Sequence, residues 1–196
     1  GQLPKPKWGW QDSGVRKIIK LMIPSIIGSS AAQLNLLFNT LIASFLAAGS
    51  ISWIYYSDRL LEFPVGVFGV ALSTVVLPNL ATKNAVRQQD QFRSIVQWGI
   101  RIALLISVPA SIGLYILSGP LIATIFLGGN FNIHDLFMTQ YSLMAYAFGL
   151  IGLSLVLILA SAYYAKQNTK TPVKFGLITM ATNASLSILF VTTLVF

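Results

Sequence analysis

The sequence predicts an all-α, polytopic membrane helix bundle with five transmembrane helices, and three observations carry that expectation. The chain is 55% hydrophobic and only 9% charged, with a mean hydropathy of +0.74, whereas soluble domains carry roughly 25% charged residues. So few charges cannot cover an outer surface in water. Second, Asp, Glu, Lys and Arg are absent from 21–57, 63–82, 102–133, 136–165 and 175–196. A bilayer-spanning helix needs about 20 apolar residues, and each of these stretches supplies them. Third, the runs are continuous, without the period-two alternation of membrane barrel strands.

Residues 1–13 read as an interfacial loop, with Trp8 and Trp10 suited to the headgroup region. The bundle occupies 14–196. Its first span, about 14–46, opens with a basic collar of Arg16, Lys17 and Lys20, after a cap from Asp12 or Ser13. Pro24 and Gly28 are expected to loosen its start. A short uncharged turn leads into the second span, about 52–82. The third span is about 94–127 and contains Pro109 and Pro120; a Gly/Asn-rich turn at 128–135 follows. The fourth span is about 135–165. A basic loop at 166–174 precedes the last, about 171–196, with Pro172 near its start. The chain stops inside an apolar run, so either its last helix ends the protein or the chain is a piece of a longer one.

Charge assigns the sides. Twelve of the 13 Lys and Arg residues fall in 1–20, 83–101 and 166–174, which share one face if the spans alternate. The opposite turns, 47–52 and 128–135, hold none. The positive-inside rule makes the basic face cytoplasmic, so the net charge of +8 reports membrane orientation rather than nucleic-acid binding. Anionic membrane lipids are natural partners of the basic collar. Cysteine is absent and His134 is the single histidine, which argues against a metal site. No phosphate-cradling Gly-Lys loop, metalloprotease helix or nucleophile elbow occurs, so neither an enzyme nor a cofactor is expected.

The thirteenth cation is Arg59, inside the second span. Asp58 and Glu62 are four apart, and Arg59 and Glu62 three apart, so the three share adjoining helix surface. Two readings follow. The cluster can neutralise itself and lock the bundle. Alternatively, Arg59 faces a hydrated cavity and binds a phosphate, for which the guanidinium fork is suited. Pro64, Gly66 and Gly69 come next; they serve either close helix packing or a hinge beneath the charged site. Gln33, Asn35, Asn39, Asn183 and Ser187 are polar residues within spans, and interhelical hydrogen bonding is their usual role.

The run AAGSISWIYYSDRLLEFPVGVFGVALSTVVLPNLA (47–81) resembles the signature region of the MurJ/MviN lipid II flippases, a branch of the multidrug/oligosaccharidyl-lipid/polysaccharide exporter superfamily. The likeness extends to 8–28, 117–126 and 170–180. It implies a two-lobe exporter, with this chain equivalent to most of the C-terminal lobe. It also implies a multi-pass protein of the bacterial inner membrane that moves lipid II outward by alternating access. By the same resemblance Arg59 matches a cavity arginine for substrate, and Asp58 and Glu62 belong to its motif. The missing N-terminal lobe and remaining helices would be obligatory partners. A sodium site of some relatives maps to Asn39, Asn183 and Ser187, all neutral here, so only a weak ion site is implied. The competing readings are a related polysaccharide-lipid or multidrug exporter, and a non-transporting scaffold whose ion pairs are structural.

Overall fold

The computed structural model describes residues 13–46 and 48–194; the expected interfacial tryptophans and Asp12 lie outside them. Among the described residues the chain forms five long helices: α1 (Ser13–Ser44), α2 (Ser50–Ala85), α3 (Gln89–Phe126), α4 (Ile133–Ala165) and α5 (Lys170–Leu194). The last four are each long and apolar enough to cross a bilayer. Helix α1 has 32 residues, with its charges confined to the first turns. Helix α3 starts five residues, and α2 and α4 two residues, before the expected limits, because polar residues continue the helix, while α1 stops two residues short of its expected end.

Side-chain contacts fix how the helices run. Helices α2 and α4 are parallel neighbours: Trp53 bonds to Asp135, Ser57 to the Thr139 carbonyl and Asn84 to the Ala165 carbonyl. Helix α3 packs antiparallel to α4, with Ser111 Oγ donating to the Ala147 carbonyl at 2.6 Å and Lys166 Nζ resting 4.7 Å over the Phe92 ring. At Gly99 a Cβ would stand 3.1 Å from Ile158 and 3.5 Å from Val76, so α2, α3 and α4 meet where one of them has no side chain.

Two apolar clusters seal this three-helix unit. One gathers Leu61, Leu114, Ile122, Leu143, Ala147 and Leu150; the other Val76, Leu80, Phe92, Ala103, Ile158 and Ala165. Buried hydroxyls at Ser57, Ser107, Ser111, Ser118, Thr139, Ser154 and Ser161 run between them. Small residues let helix backbones approach, and most of these hydroxyls return a hydrogen bond to a helix carbonyl. Outward faces carry Phe63, Leu105, Ile116 and Phe148, which suits lipid rather than water.

Helix α1 packs chiefly on α5. Gly28 lies against Val173, and the Asn183 amide donates to Asn35 and Asn39 at 3.1 and 2.8 Å. The pair therefore runs parallel, as alternating spans require. Neither Pro24 nor Gly28 breaks α1, and Pro109 and Pro120 lie within a continuous α3.

Candidate functional site

One departure from regular helix sits in the middle of α2. Residues Val65–Val70 form a π-helical turn directly after Pro64. Its cause is legible in the pairing with α4. Partners are 82 residues apart in sequence at Trp53–Asp135 and Ser57–Thr139, but 81 apart at Asn84–Ala165. Helix α2 thus holds one more residue than α4 between two pinned ends, and a π turn is the way a helix absorbs a single extra residue.

The outer end of α2 is pinned by a compact polar knot. Asp135 and Asn132 form a capping box at the start of α4, with both bonds at 3.0 Å. The second Asp135 oxygen accepts from the Trp53 indole at 2.8 Å. His134 adds its ring edge-on to Trp53 at 5.6 Å. Gly49, at φ 104°, makes room for that indole, since a Cβ there would lie 2.7 Å from it. Such a backbone conformation favours glycine.

Arg59 lies nine residues into α2, about 13 Å from its outer end at the helical rise. Buried Trp53, Ser57, Leu61 and Pro64 mark the face of α2 turned to the core. Arg59 projects from the opposite face, as the roughly 100° per residue of a helix requires. Its Nη1 pairs with Glu62 Oε2 at 2.6 Å, and its guanidinium carbon stands 4.9 Å over the Tyr55 ring. The side chains of Arg59 and Glu62 remain 53% and 56% exposed, so the pair is not enclosed. Asp58 is half-buried and turned toward α4, within electrostatic reach of Tyr146.

Of the residues singled out by sequence, Arg59 and Glu62 are thus in contact, with Asp58 on an adjoining strip. Pro64 introduces the π turn, which contains Gly66 and Gly69. Asn39 and Asn183 are bonded through the amide triad with Asn35, while Ser187 stands one turn further along α5, outside it. Tyr55 was missed, although its spacing of four from Arg59 was available as a signal. The Trp53–Asp135 tie carried no local signal, because its partners lie 82 residues apart. No cluster of His, Cys, Asp and Glu able to hold a metal occurs among the described residues.

Four helices long and apolar enough to cross a bilayer, packed through small hydroxyl residues, define a polytopic helical membrane protein. The family model for lipid II flippase MurJ matches residues 1–196. A probable lipid II flippase MurJ of Haemophilus influenzae is 52% identical over 195 residues, covering 96% of this chain and 38% of that protein. The Vibrio cholerae counterpart is 48% identical over 97% of this chain and 36% of its own length. A solved structure of lipid II flippase MurJ in an inward closed conformation superposes with a TM-score of 0.80 at 28% identity, across 97% of this chain and 40% of that one. This chain belongs to the lipid II flippase MurJ family, and with it to the multi-pass proteins of the bacterial inner membrane. It spans under two-fifths of the length of the two curated relatives described.

Proposed function

We propose that this chain forms most of one lobe of a lipid II flippase, which carries the undecaprenyl-pyrophosphate-linked peptidoglycan precursor outward by alternating access. The observation that carries the reading is the placement of Arg59. It turns away from the core of its own five helices, onto a face they leave open, yet at a depth where an arginine is costly without a polar partner. In the free site Glu62 and the Tyr55 ring hold the guanidinium in place. A diphosphate group competes for the same donors and can take two at once, so substrate exchanges with Glu62 rather than meeting a bare charge. Asp58 borders the site and disfavours a second anion close to α4.

The π turn with Pro64, Gly66 and Gly69 supplies the hinge beneath the site, and the substrate tails stay in lipid throughout. The basic ends at 1–20, 83–101 and 166–174 lie on the cytoplasmic side. The missing N-terminal lobe completes the cavity. Asn39 and Asn183, with Ser187 a turn away, offer only neutral oxygens for a weak cation site. A cation there would have to take the carbonyls now bonded to the Asn183 amide.

The test uses the full-length protein in cells depleted of their own flippase. Arg59→Ala is expected to abolish rescue at normal protein levels, and Arg59→Lys to impair it, because a lysine lacks the planar fork. Wild-type growth with Arg59→Ala would overturn the reading. The short bond to Glu62 favours a second, purely structural role. That alternative expects Arg59→Lys to be fully tolerated and Arg59→Ala to lower the amount of folded protein.

A further inference from the structure

Among the buried hydroxyls of the three-helix unit, Ser107 and Thr139 are exceptions, and of the two Ser107 borders a cavity. Ser57, Ser111, Ser118, Ser154 and Ser161 each donate to a main-chain carbonyl. Ser107 is 3% exposed, and its Oγ has no partner. A buried hydroxyl left without a hydrogen bond is costly, and more so at membrane depth, where no bulk water can reach it.

Ser107 does not sit against packed side chains. It lines a small cavity of about 10 Å³ of water-sized space, together with Phe68, Gly69, Leu72, Ile106 and Ser154. That is about the least space that admits one water molecule. Three of those residues, Phe68, Gly69 and Leu72, belong to the π turn or the helical turn after it. Gly69 borders the cavity without a side chain, and the place its Cβ would take is filled by Leu157. A π turn set into an α-helix changes the bonding ladder from four residues to five and leaves a carbonyl without its usual donor. Ser154 Oγ gives its proton to the Leu150 carbonyl at 2.9 Å, which leaves its lone pairs free.

We propose that the cavity binds a single internal water, held by Ser107 Oγ, Ser154 Oγ and the main chain of the π turn. The water supplies the hydrogen bond that the π turn gives up, and it joins all three helices at the point where α2 departs from regular geometry. It also gives the turn an exchangeable partner, so α2 can deform there without exposing a bare polar group to hydrocarbon. The site does not depend on what the protein transports, and it stands or falls separately from the role of Arg59.

The test is a high-resolution structure of the unmodified full-length protein in lipid nanodiscs, together with hydrogen–deuterium exchange of Ser107→Ala and, as control, Ser161→Ala. Density is expected about 2.7–3.0 Å from Ser107 Oγ, the usual hydrogen-bond range. Exchange across residues 65–71 is expected to rise about threefold or more in Ser107→Ala relative to the control, as local opening becomes easier. An empty cavity in a map that resolves other buried waters would overturn the proposal, as would equal exchange in the two variants. The map decides even if Ser107→Ala fails to accumulate.

Discussion

Helices α2, α3 and α4 are joined by shape, whereas α1 and α5 are joined by amides. In the first region, fully buried Leu80, Ile122, Leu143 and Ile158 interlock around small residues, and hydroxyls cross to neighbouring main chains. In the second, none of the described side chains of α5 is buried, and the pair meets at Gly28–Val173 and the Asn35–Asn39–Asn183 triad. In lipid there is little hydrophobic force between helices, so packing and polar bonds must do the joining. The three-helix unit interlocks along its shared seam. The α1–α5 pair leaves most of its surface for other partners.

The comparison can be broken by substitution, with unfolding of the full-length protein in detergent as the readout. Leu143→Ala opens a cavity at a side chain with 0% exposure and is expected to cost about 2–5 kcal/mol. A loss below about 1 kcal/mol would mean that the unit is not tightly interlocked. Asn183→Ala removes both bonds of the triad. Interhelical hydrogen bonds in membranes are worth about 0.6 kcal/mol on average and up to about 1.7, so the loss should stay within that range. A larger loss would show that the pair depends on the triad as strongly as the other helices depend on packing. Gly176→Ala, in α5 with nothing within 4 Å of the added carbon, is expected to be neutral or to stabilise by about 0.5 kcal/mol through helix propensity. Marked destabilisation there would reveal a partner already seated on α5.

The helices themselves were legible because charge-free runs report bilayer thickness directly. The alternation of the spans is matched by the antiparallel and parallel pairings. The Arg59–Glu62 pair was legible from a spacing of three, whereas the half-buried setting of Asp58 was not, since it depends on where α4 lies. Proline and glycines at 64–69 marked a weak point in α2 without showing its form. The π turn is set by bonds at both ends of α2 to a helix some 80 residues away, and no local pattern encodes that count. Nor could Ser107 be told apart from its neighbouring serines by type; only the packing around it leaves its hydroxyl unmatched.

Helices α2 and α4 are fastened together near both ends, by Trp53 to Asp135 and by Asn84 to Ala165. Mechanically they resemble a beam clamped at two supports. Such a beam can bow at its middle, where the π turn lies, but neither end can swing free of its mate. Any larger excursion of the α2 segment that bears Arg59 would therefore carry α4 along with it.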